Sequence, residues 1–320
     1  MTSIFPHLSL AGPINDKVAL LVQNYGDAFH SFSLLVLKYL LVPLETGLRI
    51  MPPWLLLILA GMLAWHATRK LSVAALFVLL LYAIGAFGLW DKLMQTLALM
   101  FVATVLSIVL GVPLGMLCSQ SRWVRRALLP VLDVMQTLPS FVYLIPVLML
   151  FGLGKVPAIF ATVIYSLPPL IRLTDLGIRQ VDGDVVEAAR SFGTTRWQIL
   201  TGVQLPLARP SIMAGINQTT MMSLSMVVIA SMIGSRGLGE DVLAGIQTLD
   251  VGKGMQAGIA IVILAIVIDR ITQGYGQERR ARMALHAHRR ARVQARRSAR
   301  STSHDLGEPT TAGETSSRHV

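Results

Sequence analysis

Long apolar blocks alternate with short polar ones along most of this chain. Segments 51–65, 71–89, 93–118, 138–153, 156–171, 212–233 and 255–271 approach the roughly 20 apolar residues with which a helix crosses about 30 Å of hydrocarbon. The blocks are continuous, whereas barrel strands alternate apolar and polar positions. The pattern therefore predicts an all-α fold, a polytopic transmembrane helical bundle of about seven spans. The first block is short for a bilayer. The third contains Gly111-Val112-Pro113-Leu114-Gly115, two small residues four apart around a proline, which suits close helix contact and a kink.

Four regions follow from the same pattern. Residues 1–50 mix apolar residues with scattered charges and Pro6, Pro13 and Pro43. Within them the run 34–44 is interrupted by Lys38 and Pro43, which predicts an interfacial helix rather than a span. Residues 51–89 supply two accessory transmembrane helices, and 90–274 form a core that carries a polar insert at 172–209. Residues 275–320 are a basic and then disordered tail, rich at its end in Ser, Thr and Gly. No signal peptide is visible, since residues 1–15 carry no Lys or Arg.

Composition agrees with a membrane protein: 53% of residues are hydrophobic and only 14% charged, with a mean hydropathy of +0.61. The formal net charge of +11 is concentrated. Residues 279–300 hold nine Arg and no acidic residue, so the rest is close to neutral. That run has no interleaved aromatics and no nucleic-acid-binding module beside it, so anionic membrane lipid is the expected partner and nucleic acid is not. Turns 66–70 and 119–126, the insert and the tail are basic, whereas 90–92, 154–155 and 234–254 are near neutral. The positive-inside rule then places the C-terminus in the cytoplasm and, with seven spans, the N-terminus outside. Trp54 and Trp90 fall at outer edges and Trp65 and Trp123 at inner edges, as an aromatic belt requires.

Catalytic patterns are absent. The chain has no GxxxxGK[ST], HExxH or GxSxG, and its single cysteine, Cys118, permits neither an intramolecular disulfide nor a CxxC site. An enzyme, a metal site or a cofactor held by this chain is not expected.

The insert carries the chemistry. Asp182, Asp184 and Glu187 cluster where the positive end of a helix dipole favours them. Ala188 and Ala189 are strong helix formers, and Gly193 is a stop in left-handed conformation. Phe192, Trp197 and Ile199 offer an apolar face, and Pro206 and Pro210 are expected to break the chain before the next span. Residue types alone leave two readings open: a solvated helix on the membrane surface, or a coupling element gripped by a soluble partner.

The stretch Glu187-Ala188-Ala189-Arg190-Ser191-Phe192-Gly193, followed after nine residues by Val203-Gln204-Leu205-Pro206, resembles the EAA loop of ABC-importer permeases. Val203 stands where that pattern usually has Ile. From about Trp90 to Arg270 the chain resembles the glycine betaine/proline betaine/choline branch. The resemblance rests on Gln136-Thr137-Leu138-Pro139-Ser140, Phe151-Gly152-Leu153-Gly154-Lys155, Ala214-Gly215-Ile216-Asn217-Gln218-Thr219 and Leu224-Ser225-Met226-Val227.

This resemblance implies a type I ABC-importer permease fold, a homodimer in the bacterial cytoplasmic (inner) membrane, an ABC ATPase subunit that binds the ATP, and an extracytoplasmic substrate-binding protein. Glu187, Ala188, Ala189, Arg190, Gly193, Trp197, Leu205 and Pro206 become the candidate ATPase-coupling residues. A zwitterionic solute needs hydroxyls and amides rather than fixed charge. Gln136, Thr137, Tyr143, Asn217, Gln218, Thr220 and Ser225 are the candidate solute path, with interhelical hydrogen bonding as the competing role for each. Carnitine or an amino acid is the alternative solute. An ion-coupled secondary transporter would instead ask for ionisable residues near the bilayer midplane.

Overall fold

The computed structural model describes residues 11–275, all helical apart from short connections. The expectations for the basic and disordered parts of the tail lie outside the described residues.

In chain order the helices are α1 (Ala11–Val36), α2 (Val42–Ile50), α3 (Pro53–Thr68), α4 (Leu71–Ala86), α5 (Trp90–Gln120), α6 (Arg122–Thr137), α7 (Leu144–Phe151) and α8 (Lys155–Arg179). Then follow α9 (Gly183–Ser191), α10 (Arg196–Ile199), α11 (Leu205–Ile229), α12 (Leu238–Thr248) and α13 (Val251–Tyr275). Among the described residues, five helical stretches are long and apolar enough to cross a membrane, or six if a bent pair is one span.

α5, α8 and α11 form the central block. Their contact is close because small residues face neighbouring helices. A Cβ on Gly111 would lie 2.9 Å from Leu170, and one on Gly115 2.5 Å from the Thr174 Cβ. On the other side of α8, a Cβ on Gly177 would lie 2.6 Å from the Ser211 Cβ of α11. The small-residue pair read in the sequence does bring helices together. Buried hydroxyls bridge them: the Ser107 and Ser166 Oγ atoms are 3.0 Å apart, and Thr219 donates to the Ser166 carbonyl at 3.1 Å. Without hydrophobic driving force between helices in lipid, such close packing and polar bridging hold a bundle.

Ion pairs tie the starts of α5 and α8 to α2. Lys155 at the start of α8 reaches both Glu45 carboxylate oxygens, at 2.6 and 2.7 Å. Glu45 lies 3.7 Å from Arg49, whose Nε is 2.5 Å from Asp91 at the start of α5. α5 and α8 therefore start at one end of the bundle and run parallel, so the chain between them must cross back. The end of α11 returns to that first end, where the Gly154 amide donates to the Ile233 carbonyl at 3.0 Å. There the Leu238 amide donates to Thr96 at 2.9 Å, and Gln256 of α13 donates to the Phe87 carbonyl at 2.9 Å.

Several sequence expectations are corrected. Segment 138–153 is not a straight fourth span: Arg122–Thr137 and Ser140–Phe151 meet at 114°. Leu138 is extended there (ψ 135°) because a residue before proline is driven out of the helical region, and Pro139 is extended too (ψ 138°). The first two predicted spans are a hairpin of 16-residue helices, Pro53–Thr68 and Leu71–Ala86. Each is about 24 Å long at 1.5 Å per residue.

Residues 15–50, expected to hold only a short interfacial helix, form an apolar helix that continues through Lys38 and Pro43. A π-helical turn, Leu37–Leu41, absorbs the proline in the first turn of α2. Its contacts fall at the first end, where Phe29 meets Phe151 edge-on and Phe32 stacks on Phe160. Pro206 and Pro210 do not interrupt the sixth span, since 196–233 is one helical stretch. Pro206 sits in the first turn of α11, just after a second π-helical turn, Leu200–Gln204. The Leu205 amide bonds to the Leu200 carbonyl across that wider turn, and the changed register lets the stretch run on through a residue with no amide of its own.

Candidate functional site

Much of the predicted insert belongs to the bundle. Arg172–Arg179 continues α8 and Leu205–Arg209 is already α11, so only about residues 180–204 project, at the end opposite Lys155. Asp182 caps α9, its side chain accepting from the Asp184 amide at 3.0 Å. α9 stops at Gly193, whose φ of +76° is the left-handed conformation, and the Gly193 amide donates to the Arg190 carbonyl at 2.9 Å. Thr194 Oγ1 donates to the Ala189 carbonyl at 2.7 Å and ties the turn to the helix end. Thr195 then starts α10 with a reciprocal capping box: it accepts from the Gln198 amide at 3.3 Å while its own amide donates to the Gln198 side chain at 2.8 Å.

This hairpin has a fixed root and an open tip. Ile178, Leu200 and Ala208 are buried together, with Leu205, Met116 and Ile212 packed against them. Leu205 thus anchors the root, and Pro206 follows it in the first turn of α11. Glu187, Ala188 and Arg190 are exposed and Ala189 is half-buried. Phe192 is 88% and Trp197 66% exposed, two large aromatic faces uncovered at the tip. In a soluble domain such residues are mostly inside, so both rings are open to whatever covers this end of the chain.

The candidate path residues divide. Asn217 joins helices: its amide donates to Asp269 of α13 at 3.2 Å, and Thr272 donates to its carbonyl oxygen. Thr220 is buried and bonded to the Ile216 carbonyl at 2.7 Å. The Tyr143 hydroxyl donates to the Met135 carbonyl across the bend between α6 and α7. Asn217 and Tyr143 bridge separate segments, whereas Thr220, like Thr137 to the Val134 carbonyl at 2.9 Å and Ser225 to the Met221 carbonyl at 3.1 Å, bonds within its own helix. Gln136, Thr137, Gln218 and Ser225 are exposed on the surface of the chain.

One cluster went unnoticed in the sequence. Asp175 in α8 is 3% exposed. It takes Arg179 Nε on one oxygen at 3.0 Å and Arg125 Nε near the other at 3.2 Å. The i to i+4 spacing of Asp175 and Arg179 was visible, but nothing local pointed to Arg125, fifty residues earlier.

Residues 107–277 match the family described as binding-protein-dependent transport system inner membrane component. The chain belongs to this family of transport permeases. Among relatives of the permease, the glycine betaine/proline betaine transport system permease protein ProW of Escherichia coli (strain K12) is 50% identical over 270 residues, covering 84% of this chain and 75% of ProW. The glycine betaine transport system permease protein OpuAB of Bacillus subtilis (strain 168) is 45% identical over 278 residues, covering 87% and 98%. Both matches are longer than the stretch from Trp90 to Arg270, so the likeness reaches beyond the permease core. Among solved structures, an inward-facing form of the MetNI methionine ABC transporter matches with a TM-score of 0.54 at 21% identity, covering 59% of this permease and 95% of that chain. That match shows the fold.

Proposed function

We propose that this permease is the membrane subunit of an ATP-driven importer for glycine betaine, proline betaine or a closely similar quaternary ammonium solute. It works as a homodimer with two ATPase subunits that bind the ATP and a binding protein outside. The single observation that carries the coupling half of this reading is the hairpin 180–204, rigid at its root and aromatic at its tip. The solute half is supported by the relatives at 45 to 50% identity. Docked on an ATPase, the hairpin lies in the cytoplasm, and the ion-paired end with Glu45, Asp91 and Lys155 faces outside. ATP then biases a two-state bundle from a distance, as linkage requires.

Exposed Gln136, Thr137, Gln218 and Ser225 are the path candidates that remain, to be enclosed by the second copy. Asn217 and Tyr143 tie separate helical segments together, and buried Thr220 bonds only within its own helix. Carnitine or an amino acid is the alternative cargo, since a path of amides and hydroxyls does not separate them.

The test is uptake of labelled glycine betaine into vesicles holding the permease, its ATPase and its binding protein. Uptake that requires internal ATP and ignores a proton or sodium gradient supports the proposal. Uptake driven by such a gradient without ATP overturns it.

A further inference from the structure

α6 is held on the central block in an unusual way. Its apolar face covers Cys118 of α5 and Ile171 of α8, with Leu132 buried between them. Two ionic contacts flank this patch. Arg125, in the first turn of α6, reaches buried Asp175, and Asp133, in its fourth turn, pairs with Arg172 of α8. Asp175 in turn holds Arg179, the last residue of α8 before the hairpin begins. The Arg125 Nε is buried and, although 3.2 Å from the carboxylate, lacks the alignment of a hydrogen bond. Charge holds this contact. Beyond Thr137 the chain turns through 114° into α7.

The hairpin roots, by contrast, have little freedom. Glycine contacts lock the lower part of α8 to α5 through Gly115 and to α11 through Gly177. The hairpin thus moves α8 and α11 as one piece, and α6, held on the block by the small Cys118–Leu132–Ile171 patch and these ion pairs, is the element able to move against them.

We infer that the Arg125–Asp175–Arg179 triad, assisted by Arg172–Asp133, is a clasp that makes α6 follow the hairpin, with Asp175 its positioning residue. The clasp rests on the proposed coupling role of the hairpin. Through it, displacement at the ATPase reaches the broken span without any contact between α6 and the ATPase.

The experiment measures ATP hydrolysis and solute uptake separately in vesicles holding the complete transporter. Asp175→Asn alone leaves two arginines without their buried counter-charge, which risks misfolding. Combining it with Arg125→Gln removes the surplus charge and leaves the clasp open. This double variant should hydrolyse ATP at the wild-type rate while solute moved per ATP falls about fivefold or more, the scale of a typical coupling free energy. A merely structural role predicts that the same double variant recovers the wild-type ratio, which overturns the clasp. If the double variant does not assemble, Arg125→Gln alone decides, because Asp175 keeps Arg179. An unchanged ratio there also overturns the proposal. The exchange D133R with R172D should restore the ratio that R172D lowers, and failure to restore counts against the clasp. A failure of the coupling reading itself looks different, since the wild-type protein would then show no ATP-dependent uptake.

Discussion

Gly193 is the position where backbone conformation alone makes a prediction. Its φ is +76°, and a Cβ added there meets nothing within 4 Å. Side-chain clashes therefore do not contribute, and the cost of any substitution is the cost of a left-handed L-residue, about 1–2 kcal/mol. Opposing it are the turn's own bonds, from the Gly193 amide to Arg190 and from Thr194 to Ala189. Those bonds are shared by every variant and so cancel in the comparison. At about 1.4 kcal/mol per factor of ten, Gly193→Ala should lower the share of correctly shaped hairpin by up to roughly 5- to 30-fold. Apparent affinity for the ATPase falls with the competent fraction. Gly193→Asn should lose less, because Asn visits the left-handed region more readily than other residues. Gly193→Val should lose most, as a β-branched residue is a true outlier there. The measurement is binding of purified ATPase subunit to each immobilised variant, with thermal unfolding of the permease alone as control. The order Gly, Asn, Ala, Val in affinity with unchanged melting is expected. Equal affinity for Ala and Gly, or Asn falling below Ala, refutes the reasoning.

Four further outcomes follow from named contacts. Phe192→Ala and Trp197→Ala should leave melting of the isolated permease unchanged, since both rings are exposed, yet weaken ATPase binding by about 2 kcal/mol if each is an interface anchor; equal binding in a pull-down removes that role. Thr96→Val keeps the side-chain shape but strips the buried Leu238 amide of its acceptor, and should cost about 1–3 kcal/mol in thermal stability. Gly115→Ala places a methyl 2.5 Å from Thr174 and 2.9 Å from the Ile171 carbonyl; overpacking of about 1–3 kcal/mol should show as a lower melting temperature in detergent. Asn217→Leu cuts the links to Asp269 and Thr272, so protein yield and melting should fall while the solute preference of what remains stays the same.

The helical class and the tip of the hairpin were legible because they are local facts. Asp182, Gly193 and Thr195 work through neighbours within a few residues, and cap chemistry depends on little else. Helix continuity was less legible. Pro43 and Pro206 read as breaks, but a π-helical turn before each changes the hydrogen-bond register and leaves the proline in a first turn. The broken span was missed for the opposite reason: Pro139 stands in an apolar block that hydropathy alone treats as uniform. Side-chain direction was the least visible property. Asn217 and Gln218 are adjacent and equally polar, yet one bridges two helices and the other is exposed. The partners that decide this, Asp269 and Thr272, lie more than fifty residues away.

If the paired helices α3 and α4 are accessory spans, as we propose, they leave a mark on the surrounding lipid. Each falls about 6 Å short of the average hydrocarbon thickness of about 30 Å. Trp54 and Trp65, both more than half exposed, sit near the two ends of α3. Acyl chains beside this edge must shorten or splay to meet those rings, at a fraction of a kcal/mol for each Å of shortfall. That penalty shrinks where the leaflets are naturally slimmer. The protein should therefore gather in short-chain or unsaturated patches, and its lateral address is partly written in the length of two helices that are remote from the moving parts.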